Sequence, residues 1–91
     1  MKQVIEANKI SIIEGDVAIA YVTFVNFQED VVVIDHTYVS PAYRGHGLGR
    51  RLMETLVTVL ETRKLTCVAT CSYARAWFER HPEKQYLLKQ K

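Results

Sequence analysis

Hydrophobic and polar positions follow two different rhythms along this chain. From Lys9 to Glu14, Ile10 and Ile12 fall on one side of an extended segment, and Gly15-Asp16 supplies the turn chemistry of a hairpin. Val17 to Val25 is apolar on both sides apart from Tyr21 and Thr23, the pattern of a central strand. Asn26 to Asp30 breaks the run as a polar loop. Val31 to Val39, β-branched and apolar, returns as a third strand and closes an antiparallel meander. Pro41 stops the sheet because it has no amide hydrogen to give a ladder. The rhythm then changes. Leu48, Leu52, Leu56, Val59 and Leu60 recur at helical spacing over Gly47 to Arg63, with Glu54 and Glu61 on the wet face. Arg63 and Lys64 suit the negative end of that helix. Leu65 to Thr70 predicts a fourth strand, parallel to the third because a helix connects them. Ser72 is the expected N-cap of a second helix, Tyr73 to His81, which Pro82 ends; Glu83 to Leu88 adds a further turn. The order is β-β-β-α-β-α, an α+β fold.

No repeat, linker or low-complexity segment divides the 91 residues, so one domain over 1–91 is expected. Hydrophobic content of 48% and charged content of 24% are ordinary for a globular chain with a modest core. No segment reaches the roughly 20 apolar residues of a membrane helix. The start, Met1 to Glu6, lacks the apolar stretch of a signal peptide. A cytoplasmic protein with no membrane partner is therefore expected. A net charge of +2 is too small to argue for nucleic acid. Cys67 and Cys71 lie on one strand and its exit, where a disulfide is geometrically awkward. Neither has a second Cys or His at zinc-ligand spacing, so no metal is expected.

The candidate chemistry begins at Arg44-Gly45-His46-Gly47-Leu48-Gly49-Arg50-Arg51, a glycine-alternating loop between a strand and a helix. Glycines let anionic oxygens approach the backbone, and the first turn of a helix offers unpaired N–H groups and partial positive charge. A diphosphate-bearing ligand suits that combination. The loop is not a P-loop, since Arg50-Arg51 stands where Lys-Ser or Lys-Thr is needed. It is not the dinucleotide fingerprint either, because the sixth position counted from Gly45 is Arg50 rather than glycine. It satisfies Arg/Gln-x-x-Gly-x-Gly/Ala in full. With Asp35-His36-Thr37-Tyr38-Val39, Cys71-Ser72-Tyr73 and Arg80-His81-Pro82-Glu83, the chain resembles the smallest branch of the Gcn5-related N-acetyltransferases (GNAT), the YjdJ-like minimal domains, from about Asn8 to Leu88.

The resemblance implies a single-domain minimal acyl-CoA N-acyltransferase core with a splayed parallel fourth strand. It implies acetyl-CoA as the cofactor, with its pyrophosphate on the amides from Gly45 to Arg50, Arg44 flanking, and backbone groups of Tyr38 and Val39 on the pantetheine arm. Cofactor contacts are thus expected from Tyr38, Val39, Arg44, Gly45, His46, Gly47, Leu48, Gly49, Arg50 and Cys71. Cys71 takes the place of the family's cofactor-touching asparagine, and Phe78 that of the tyrosine that protonates the departing thiolate. The tail departs as well: Lys84 stands where the branch carries an aromatic residue. The family's N-terminal strand and helices have little room before Lys9, and its last two strands are missing. The acceptor side is therefore expected to be open, or completed by a homodimer or a partner protein.

Two residues are candidates for catalysis. A neutral imidazole at His36 can take a proton near pH 7, and a structural histidine is the alternative. Strand alternation puts His36 on the face of Val32, Ile34 and Tyr38, with Asp35 on the face of Val31, Val33 and Thr37. Cys71, just before a helix N-terminus, has a favoured thiolate; it could carry the acetyl group, give a proton, or only line the pantetheine slot. Tyr73 is a weaker hydroxyl candidate. Cys67 and Trp77 read as core, and His81 as a helix stop. The leading reading is an acetyl-CoA-dependent N-acetyltransferase acting on a small amine or a protein lysine. An acyl-CoA-binding sensor without turnover is the second. A nucleic-acid module is the third, lacking the interleaved aromatics such binders use.

Overall fold

In the computed structural model, which describes residues 1–89, a five-stranded sheet runs β1-β2-β3-β4-β5 with each strand beside its sequence neighbour. The strands are β1 (Lys2–Ile5), β2 (Lys9–Glu14), β3 (Val17–Gln28), β4 (Val31–Val39) and β5 (Thr66–Ala69). All pairs are antiparallel except β4 with β5, the parallel pair joined through helix α1 (Leu48–Arg63). Helix α2 (Ser72–Arg80) follows β5, and 3-10 turns occupy Pro41–Tyr43 and Pro82–Leu87. The order expected from the sequence is present, with one strand added in front.

That strand, β1, is too short to show a period. Tertiary contacts hold it: the Gln3 amide donates to the Thr55 hydroxyl at 2.5 Å, and the Arg63 guanidinium donates to the carbonyls of Ala7 and Glu6 at 2.7 and 3.0 Å. The region read as a loop from Asn26 to Asp30 is mostly strand. Asn26 pairs with Val32 and Gln28 with Val31, leaving Phe27 as an extra residue. The turn itself is Glu29-Asp30, with Asp30 at φ 61, a left-handed conformation that aspartate tolerates better than most side chains. Helix α2 begins one residue earlier than expected: Cys71, extended at φ −78 and ψ 135, is its N-cap in place of Ser72.

Both helices cover one face of the sheet. Ile10, Ile12, Val22, Phe24, Val32, Ile34 and Cys67 meet the stripe Leu48, Leu52, Met53, Leu56 and Leu60, joined by Ala74, Trp77 and Phe78 of α2. The opposite face carries Lys9, Tyr21, Thr23, Val25, His36 and Tyr38, exposed or half-buried. The outer edge of β5 is met by an isolated parallel bridge from Cys67 to Leu88, and the Lys89 amide donates to the Cys67 carbonyl at 2.9 Å. Among the described residues, no helix is long and apolar enough to cross a membrane.

Burial pushes the Cys67 thiol from its ordinary 9.0 up to about 12. The folded state therefore keeps a proton that the unfolded state loses. That contribution to stability is complete below pH 9 and disappears as pH rises toward 12. Thermal melts across this alkaline range are expected to fall more steeply for the wild type than for Cys67→Ala. Both cysteines are free thiols. In the native state, iodoacetamide followed by peptide mass analysis is expected to mark half-buried Cys71 and spare Cys67.

Candidate functional site

A bulge in β4 sets the geometry of the site. Thr23 pairs with His36, yet the next residue of β3, Phe24, pairs with Ile34, so Asp35 is unmatched. An extra residue reverses the alternation beyond it. Ile34 is buried on the helix side, whereas His36 is exposed and packs beside Tyr21, with ring centroids 5.7 Å apart. The sequence expectation that His36 shares a face with Val32 and Ile34 is thus overturned; His36 shares one with Tyr38 and Thr23. Thr37 and Val39, opposite Val22 and Ala20, turn toward the helices. The Asp35 carboxylate accepts a hydrogen bond from the Thr23 hydroxyl at 2.7 Å.

The parallel ladder stops early. It pairs Val31–Ile34 with Thr66–Ala69, after which the amides of Thr70 and Cys71 both turn back to the Ile34 carbonyl, at 3.1 and 3.3 Å. β4 continues to Val39 while the other chain segment leaves into α2. Between the uncovered edge of β4, the start of α1 and the Tyr73 ring lies a cleft of about 400 Å³. Tyr38, Val39, Arg44, Gly45, Gly47, Leu48, Gly49 and Arg50, all expected from the sequence, line it. The Tyr38 ring stacks on Tyr21 on the other face, so Tyr38 reaches the cleft through its backbone. The Arg44 guanidinium is held by the Val39 carbonyl at 3.2 Å.

Thr37, Tyr43 and Tyr73 complete the lining. Tyr43 was not legible as a site residue, because it belongs to a 3-10 turn set by Pro41 rather than to a motif. Tyr73 is fixed by a contact across helices: a Cβ on Gly49 would lie 2.6 Å from its hydroxyl oxygen. Gly49 is thus a packing position, while Gly45 (φ 85) and Gly47 (φ 76) face open space and are needed for their left-handed backbone.

Three expected site residues stand outside the cleft wall. His46 is exposed on the loop, its ring 6.4 Å from that of Tyr43. Cys71 is half-buried just behind the wall, its sulfur 3.4 Å from the Thr37 hydroxyl. His36 is on the far face, so the fold does not bring it to Cys71. Phe78 is core, 2% exposed, and supplies no proton. His81 closes α2, its Nδ1 2.7 Å from the Trp77 carbonyl and its ring stacked on Trp77 at 4.0 Å.

The cleft fits a diphosphate on its backbone alone. The N-cap of α1 is Gly47, which has no side chain to cap the helix, and no acidic residue stands in the first turn. The first intrahelical bond runs from the Arg51 amide to the Gly47 carbonyl at 3.1 Å. Helix geometry therefore leaves the amides of Leu48, Gly49 and Arg50 without intrahelical acceptors, in the wall of the cleft, with helix-end positive potential behind them.

A helix-terminal anion cradle beside a splayed parallel strand pair defines an acyl-CoA-type transferase fold. The family model described as GCN5-related N-acetyl-transferase matches residues 9–87. The chain belongs to that family. No curated protein sequence matches it. Among solved structures, a GCN5-like protein from Staphylococcus aureus superposes with a TM-score of 0.80 at 26% identity, over 99% of this chain and 89% of that one. The ribosomal-protein-S18-alanine N-acetyltransferase of Escherichia coli gives a TM-score of 0.65 at 23% identity, over 79% of this chain and 49% of that enzyme. The aminoglycoside N-acetyltransferase AAC(6')-Iy, in complex with CoA, gives 0.56 at 14% identity, over 91% of this chain and 67% of that one. The last two likenesses concern the fold.

Proposed function

We propose that this chain is an acetyl-CoA-dependent N-acetyltransferase whose acceptor is a primary amine. The observation that carries the reading is the set of open amides from Leu48 to Arg50, behind left-handed Gly45 and Gly47, in a cleft that the edge of β4 continues. Those amides and Arg44 would hold the diphosphate. The backbone of Tyr38 and Val39 would orient the pantetheine arm as a strand would. The cofactor, when bound, supplies an acyl thioester. The Cys71 sulfur lies 3.4 Å from the Thr37 hydroxyl, just behind the cleft wall; we assign it to proton transfer. We assign His36, exposed on the other face, to taking the proton of an arriving ammonium. The location that suits this chemistry is the cytoplasm, where thiols stay reduced.

Titration calorimetry with acetyl-CoA, followed by release of free thiol across an amine panel, tests the assignment. Saturable binding and amine-dependent thiol release are expected. Binding without release for any amine would leave the sensor reading, which the apolar burial of Phe78 favours. Cys71→Ala is expected to lower thiol release about a hundredfold, the usual weight of a positioned proton donor. Its affinity for acetyl-CoA should stay within about threefold, since the diphosphate contacts are elsewhere. A stable acetyl adduct on Cys71 in the intact mass would instead assign it covalent carriage.

A further inference from the structure

The sheet face away from the helices holds a cation that the proposed reaction does not use. The Lys9 ammonium lies over the Tyr21 ring, 4.5 Å from its centroid. Tyr21 is itself stacked on Tyr38 at 5.3 Å and leans on His36 at 5.7 Å. Register makes this one continuous shelf: Lys9 is opposite Thr23, Thr23 is opposite His36, and Tyr21 is opposite Tyr38. The exposed Asp35 carboxylate adjoins it through its bond with Thr23. Aromatic faces with a nearby carboxylate attract ammonium groups, and Lys9 shows that a lysine side chain fits here.

The shelf also stands where an acceptor is needed. His36 and Tyr38 belong to the stretch of β4 beyond Ile34, from which β5 has already departed. The same stretch turns Thr37 and Val39 into the cleft on its other side. One strand thus separates the shelf from the cleft. We propose that the Tyr21–His36–Tyr38 shelf is the seat for the acceptor's lysine side chain, and that Lys9 occupies it until an acceptor displaces it. This rests on the reading that the acetyl donor binds in the cleft.

The test is NMR titration of the full chain with N-α-acetyl-lysine amide, following the resonances of Tyr21, His36 and Tyr38. The uncharged norleucine analogue is the control. The lysine probe should shift these resonances and the norleucine analogue should not. Lys9→Ala removes the competitor and should bind the probe about two- to fivefold more tightly, the weight of one exposed cation–π contact. Tyr21→Leu in that background should lose the gain, and Tyr21→Phe, which keeps the ring, should retain it. Equal shifts with both probes, shifts confined to another surface, or no gain in Lys9→Ala would each overturn the proposal. The readout needs no turnover. A failure here alongside intact acetyl-CoA binding by calorimetry would therefore count against the shelf and leave the donor site standing.

Discussion

Gly47→Ala should weaken acetyl-CoA binding by at least about tenfold, or roughly 1.4 kcal/mol. Gly47 is the N-cap of α1 at φ 76 and ψ 17. A side chain in that left-handed conformation costs on the order of 1–2 kcal/mol. The cheapest relief is to rotate the peptide, and that rotation swings the Leu48 amide out of the cleft. Strain and function are coupled at this position because the strained residue begins the row of open amides. Gly15→Ala is the control. Gly15 has φ 62 with open space around its Cβ direction, and it lies in the β2–β3 hairpin turn. It should lose comparable stability while calorimetry finds acetyl-CoA affinity unchanged. Equal affinities for Gly47→Ala and the wild type would remove the amide cradle as the cofactor anchor.

The second large effect is on stability. Phe24 is fully buried and stands opposite Ile34 at the step before the Asp35 bulge. Phe24→Ala should cost about 3–5 kcal/mol from lost burial and the cavity left behind. A domain of this size has about 5–15 kcal/mol in total. Each kcal/mol shifts the melting temperature of a small domain by about 4–8 °C. A fall of more than about 12 °C in a circular-dichroism melt is therefore expected. Ile34→Val, which removes one methyl from the facing residue, should cost only about 0.5–1.5 kcal/mol. A Phe24→Ala melt within a few degrees of wild type would mean that the bulge region repacks freely.

The chain's sequence discloses what depends on local pattern. The meander, the helix after the glycine loop, the parallel fourth strand and the loop's place against a helix terminus all follow from period and turn chemistry over a few residues. What it conceals depends on pairing. The bulge at Asp35 leaves no trace in an apolar run, because Val31 to Val39 looks the same with or without an extra residue; strict alternation therefore assigns His36 to the wrong side of the sheet. β1 is invisible because Gln3 and Arg63 hold it from a distance. Gly49 lines the cleft as its place in the loop suggests, and the packing of Tyr73 against it, which a Cβ would block, has no local signal. Tyr43 and Tyr73 complete the cleft through tertiary packing; Tyr73 is legible only as a hydroxyl candidate beside Cys71, and Tyr43 not at all.

The short β5 leaves the sheet with an edge, and an unpaired edge is a template on which another chain can build. Here Leu88 bridges to Cys67 and the Lys89 amide takes the Cys67 carbonyl, so the segment after Pro82 spends itself as a seal. Lys89 stands in this seal, and its charge discourages the docking of a foreign strand. The described residues after α2 thereby shield the β5 edge over Cys67 as well as packing against the fold.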